Sequence, residues 1–197
     1  MQALERIHET KPVCPGLVER IEFEYVRHGT LSLIANFDAV TGQVVSPSIG
    51  PTQTEADFNA QVDRSIETDP LASWVLVTGQ LDTHHSATLV ELVARRCGIH
   101  EELGVKGKEG ILNSKNSRRQ FIEDPTHRIR FLYTPRHCSW LNQIEIWFSI
   151  LARRLLKRAS FTSIDDLRSR ALQFIEYFNS VLAKPFRWTF TGRSLQA

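Results

Sequence analysis

Three carboxylates follow segments with strand character: Asp38, Asp82 and Glu145. Acids placed after strand ends can converge on a pair of divalent cations and support phosphoryl transfer, because hard cations prefer oxygen donors. Each acid also has a plainer reading. Asp38 precedes a Thr41-Gly42 turn, where aspartate satisfies local backbone donors. Asp82 lies in a polar loop, Gly79-Gln-Leu-Asp-Thr-His-His85, after the apolar run Trp74–Val77. Glu145 falls in the first turn of a helix, where a carboxylate complements the helix dipole. His84 and His85 with His137 and Cys138 fit no zinc-ligand spacing. Cys138 and His137 are adjacent, a poor arrangement for a nucleophile and its base.

The elements that must position these residues follow from periodicity. Residues 1–18 look irregular, because Pro12 and Pro15-Gly16 break any helix. Ile21, Phe23 and Tyr25 alternate with polar residues, His28-Gly29 suits a hairpin turn, and Leu31, Leu33, Ala35 and Phe37 continue the alternation. With Val44-Val45 this predicts a three-stranded antiparallel meander. Thr52 and Glu55 suggest a capping box opening a helix through Phe58, Val62 and Ile66. Trp74–Val77 predicts a strand buried on both faces. Ser86 can cap a helix carrying Leu89, Val90 and Val93. Residues 98–126, rich in Gly, Lys, Asn and Ser, suggest an inserted loop. Ile129–Tyr133 is a further strand stopped by Pro135. Helices are expected from near Asn142 to Arg158 and from near Ser163 to Val181, with 183–197 as a tail. At about 100° per residue, Ile144, Trp147, Phe148, Leu151 and Leu155 share one face and Glu145 lies at its edge. Antiparallel strands followed by alternating strand and helix give a layered α/β domain over 19–182, a mixed sheet flanked by helices.

At 42% hydrophobic and 23% charged residues, the 197-residue chain has the composition of one globular domain and not of a disordered segment. The cysteines at 14, 97 and 138 form no Cys-x-x-Cys pair, which argues for thiols in a reducing cytoplasm. No apolar run is long enough to cross a bilayer. A net charge of +2 does not by itself imply nucleic acid, but its placement is uneven. Arg153, Arg154, Lys157 and Arg158 cluster on one predicted helix, Arg168 and Arg170 on the next, and Lys106, Lys108, Lys115, Arg118 and Arg119 dot the loop. Such groups either neutralise phosphates without reading sequence or form a solvated face.

Several motifs together resemble the DDE transposases of bacterial insertion sequences in the mariner superfamily, nearly end to end. They are Gln2-Ala-Leu-Glu-Arg6, Phe23-Glu-Tyr-Val-Arg-His-Gly29, Gln80-Leu-Asp-Thr-His84, Tyr133-Thr-Pro-Arg-His137, Ser139-Trp-Leu-Asn-Gln-Ile-Glu145 and Lys184-Pro-Phe-Arg-Trp188. The resemblance implies a ribonuclease-H-like fold, two magnesium ions (Mg2+) held by three acids, and DNA as partner, both transposon ends and target. It also implies association as a homodimer or with an intact transposase, no membrane contact, and residence in the bacterial cytoplasm near the nucleoid. Glu145 matches the third acid and Asn142 the supporting asparagine before it. The second acid's position is Gly79, with Asp82 three residues on as a weak substitute metal ligand. The resemblance places the first aspartate, its central strand and a helix-turn-helix region upstream of Gln2, before Met1. The expectation is therefore an N-terminally truncated, degenerate copy that lacks the fold's first central strand, is marginally stable, and has lost strand cleavage while keeping DNA contact through Arg153, Arg154, Lys157 and Arg158.

Overall fold

A computed structural model describes residues 1–8, 11, 15, 16, 18, 24–135, 138 and 141–185. The expected α/β order is present. The strands are β1 (Gln2–Arg6), β2 (Tyr25–Thr30), β3 (Ser32–Phe37), β4 (Val44–Gly50), β5 (Trp74–Thr78) and β6 (Ile129–Tyr133). The helices are α1 (Glu55–Glu67), α2 (Ala87–Cys97), α3 (Lys115–Glu123), α4 (Gln143–Leu151) and α5 (Ile164–Tyr177). The strands form three pairs: β1–β2 and β3–β4 antiparallel, β5–β6 parallel.

The amino-terminal half departs from the expected meander. Gln2–Arg6, expected to be irregular, is a strand against β2. The alternation expected at Ile21 and Phe23 lies outside the described residues. His28-Gly29 is not a hairpin turn: β2 runs through it, and β3 resumes after Leu31, whose N–H donates to Met1 O at 2.9 Å. Gly29 sits where the β1–β2 register slips, with φ +139°, and a Cβ there would lie 2.6 Å from Ile164 Cδ1. That close approach and open dihedral, not a reversal, explain the glycine. The turn at Thr41-Gly42 does form. Asp38 accepts from Val40 N at 2.8 Å and from Thr41 Oγ1 at 2.6 Å, so both its carboxylate oxygens are spent on the hairpin.

Helix starts follow local chemistry. The capping box of α1 is Thr54 with Asp57, two residues later than the Thr52–Glu55 pair suggested by sequence. Phe58, Val62 and Ile66 recur at helical spacing and are buried as expected. Ser86 caps α2, accepting from Leu89 N at 3.1 Å, and Gly98 ends it in the left-handed conformation. The 98–126 stretch is not all loop, since α3 occupies its end under a Ser114–Ser117 capping box. α4 ends earlier than expected, widening into a π-helical segment over Ala152–Leu156; a similar segment, Phe178–Leu182, closes α5.

α1, α2 and α3 pack with Ile34, Trp74, Leu76, Ile129 and Phe131 in one core. α4 and α5 pack with Val44, Leu33, Ala35 and Phe37 in another, around the buried Trp147. The β3–β4 pair is thus covered on both faces. The β5–β6 pair is not. Trp74 and Leu76 face the core, but Val75 and Val77 are about half exposed (50% and 51%), contrary to the expected two-sided burial. Among the described residues, β3 pairs only with β4 and β5 only with β6, so each keeps an unpaired edge.

Candidate functional site

The carboxyl ends of parallel strands are a favoured place for ligands in α/β sheets. Here the ends of β5 and β6 meet Asp82–His85, a single 3-10 turn that leads into α2. The ladder runs past the strands, with Thr134 N donating to Thr78 O at 2.9 Å, and Gln80 Nε2 donates to Thr134 O at 2.6 Å. His84 is buried (8% exposed) and folds back on its own strand. Its Nδ1 lies 3.0 Å from Gly79 O and 2.7 Å from Thr78 Oγ1. A carbonyl can only accept, so the proton sits on Nδ1. Burial pushes the His84 pKa down, favouring this neutral form. The Tyr133 hydroxyl donates to His84 O at 2.5 Å, and burial pushes the Tyr133 phenol up. The Gln80–His84 motif therefore sets the shape of the strand-to-helix turn.

That turn carries little of the chemistry first considered. Gly79 offers no side chain at the strand end. Its backbone is ordinary, and a Cβ built there meets nothing within 4 Å. Asp82 is 92% exposed and its carboxylate bonds Lys115 Nζ at 2.6 Å, which holds its pKa below the usual range. Glu145 is exposed in the first turn of α4. Asn142 is the N-cap of that helix, its side chain accepting from Ile144 N at 3.4 Å. Asp38 is occupied in its turn. Among the described residues, no three of His, Cys, Asp and Glu are grouped to hold a metal ion. The zinc alternative thus loses His84 to the turn, and its His137 lies outside the described residues, as do Ser139 and Trp140.

The basic residues divide sharply. Arg153, Arg154, Lys157 and Arg158 are exposed at the end of α4 and beyond, and none forms an ion pair among the described residues. Arg168 and Arg170 instead serve the fold, donating to Ile49 O at 2.7 Å and Ser160 O at 2.8 Å. Arg118 likewise donates to His85 O and Leu112 O.

A family model described as DDE superfamily endonuclease matches residues 4–168. The chain belongs to that family. Neither curated proteins nor solved structures give a match. The small strand pairs flanked by helices are those of a ribonuclease-H-like DDE domain, as expected. A DDE endonuclease domain implies DNA as the molecule contacted, and such enzymes generally use divalent metals. The described residues of this DDE domain do not fit a metal pair: Asp82 is tied to a lysine, and no cluster of three His, Cys, Asp or Glu donors forms among them. No helix among the described residues is long and apolar enough to cross a membrane.

Sequence reasoning missed the surroundings of His85. Its ring stacks on Tyr133, with centroids 4.1 Å apart, and Arg119 lies over the same tyrosine at 5.1 Å. These residues are far apart in sequence, and only the parallel pairing of β5 with β6 brings them together. The one legible signal was a second histidine beside the motif His84.

Proposed function

We propose that this protein is an insertion-sequence DDE transposase of the mariner superfamily, bacterial in type, that no longer cuts or joins DNA strands but still binds DNA. The single observation carrying the loss of chemistry is Gly79. It stands at the end of β5, where the resemblance places the second carboxylate, and contributes no oxygen donor. Asp82 is a poor substitute, because it lies beyond the strand end, faces solvent and is neutralised by Lys115. Catalytic geometry tolerates misplacement of only about 0.5 Å. In this reading Glu145 is the remaining third acid and Asn142 its supporting neighbour. Neither they nor Asp82 suffices to hold Mg2+.

DNA binding rests on Arg153, Arg154, Lys157 and Arg158, which are exposed and form no ion pair among the described residues, so that they can neutralise phosphates. The same reading makes the protein a binding remnant that pairs with itself or with an intact transposase, in the bacterial cytoplasm near the nucleoid. Its organisation would be a core over 19–182, an insertion at 98–126 and a tail at 183–197.

The test is nicking of supercoiled plasmid with Mg2+ or Mn2+, for the wild-type protein and Glu145→Gln. No turnover above the variant's background is expected. Metal-dependent nicking that Glu145→Gln abolishes would overturn the reading.

A further inference from the structure

The ends of β5 and β6 and the start of α3 border an open cavity of about 500 Å³, lined by Gln80, His85, Lys115, Asn116, Arg119 and Tyr133 among others. Its polar character is one-sided. Lys115 and Asn116 form the first turn of α3, where backbone N–H groups and the helix dipole favour an anion. A lysine at that end opposes the dipole, so it needs negative charge nearby. Asp82 supplies some, through a carboxylate 2.6 Å from Lys115 Nζ on an almost fully exposed side chain. Arg119 projects from the next turn and uses Nη2 for Glu123 at 2.9 Å, with its plane over Tyr133.

The second, independent observation is His85. It lines the cavity, is 1% exposed, and neither ring nitrogen has a hydrogen-bond partner among the described residues. Buried polar atoms are ordinarily satisfied, and orphaned ones mark strain or an absent ligand. Two cations, Lys115 and Arg119, line the same cavity.

We propose that this cavity is a phosphate site: it takes one backbone phosphate of a DNA strand, gripped by Lys115 and Arg119, with His85 completing the hydrogen bonds. The proposal rests on the DNA-binding reading above and adds a contact point apart from the Arg153–Arg158 cluster. Phosphate suits the site because its oxygens can take donors from an ammonium, a guanidinium and an amide at once. Asp82 and Glu123 hold the two cations until the phosphate arrives.

Two measurements test it. Fluorescence anisotropy with a labelled duplex oligonucleotide compares wild type, Lys115→Gln/Arg119→Gln and Arg154→Gln/Arg158→Gln across a salt series. Losing one phosphate contact lowers the slope of log K against log salt by about 0.9, about eightfold in affinity at 0.1 M salt. In parallel, the His85 ring resonances of the wild-type protein are followed by NMR on titration with the oligonucleotide and with inorganic phosphate. The proposal is upheld if the oligonucleotide shifts the His85 signals and the pocket variant loses affinity and slope. If Arg154→Gln/Arg158→Gln binds weakly while the pocket variant binds like wild type, the pocket is overturned and DNA binding stands. If inorganic phosphate moves His85 and the oligonucleotide does not, the nucleic-acid source is wrong. If no variant, wild type included, binds the oligonucleotide, the underlying reading fails first. Should the pocket variant not fold, the wild-type NMR arm still decides.

Discussion

Replacing His85 with phenylalanine should abolish much of this protein's loss of stability between pH 7 and pH 4.5. His85 is 1% exposed, and its pKa is pushed down to about 4, first by burial and then by the positive charges of Lys115 and Arg119. The folded state therefore disfavours protonation. As pH falls below about 6.5, the ordinary histidine value, the unfolded chain takes up the proton first and stability declines. The decline ends near pH 4, where the folded form protonates as well. A shift of this size is worth about 3 kcal/mol in full, and most of it is lost by pH 4.5. Phenylalanine keeps a ring to stack on Tyr133 but cannot titrate. Any packing cost it brings is the same at both pH values and cancels in the difference. The assay is urea denaturation followed by tryptophan fluorescence at pH 7 and 4.5, for wild type and His85→Phe. The wild type should lose more stability than the variant by about 2–3 kcal/mol. His84 shifts in the same direction, because burial also lowers its pKa, but both proteins retain it. Equal pH dependence in the two proteins would show that His85 is not held neutral, and the account of the buried, cation-flanked ring would fail.

Gly79→Asp should fold normally, with stability unchanged within about 0.5 kcal/mol, because its Cβ meets open space; denaturation checks this, and plasmid nicking should remain absent. Trp147→Ala should cost about 3–5 kcal/mol in denaturant midpoint experiments, since Trp147 is 1% exposed at the centre of the α4–α5 core. Val75→Thr/Val77→Thr should reduce aggregation on heating, read by light scattering, because the half-exposed valines sit on a strand with an unpaired edge; unchanged scattering would remove that strand as the cause.

Much of the fold was legible because it is written in local patterns. Phe58, Val62 and Ile66 repeat at helical spacing, Ser86 stands before its helix, and Trp74–Val77 and Ile129–Tyr133 are compact apolar runs. Each is fixed by neighbours a few residues away, and each formed its helix or strand, although Val75 and Val77 are half exposed and not buried as expected. Glu145 at the head of α4 and Gly79 at the end of β5 were likewise placed by sequence, because one helix start and one strand end locate them.

What required the tertiary structure was every feature decided by a distant partner. Gln2–Arg6 is too short and mixed to announce a strand, and becomes one only because β2 supplies its hydrogen bonds. Gly29 resembled a turn glycine, yet it is needed for a bulge against Ala3 and for the approach of Ile164, over a hundred residues away in sequence. Arg168 and Arg170 looked like partners for phosphates until backbone carbonyls claimed them. The half-exposure of Val75 and Val77 depends on which helices cover which face of the parallel pair. Above all, His85, Tyr133, Lys115 and Arg119 become one site only when β6 returns beside β5. Sequence determines local propensity and the inventory of chemical groups; long-range backbone pairing decides which of them meet.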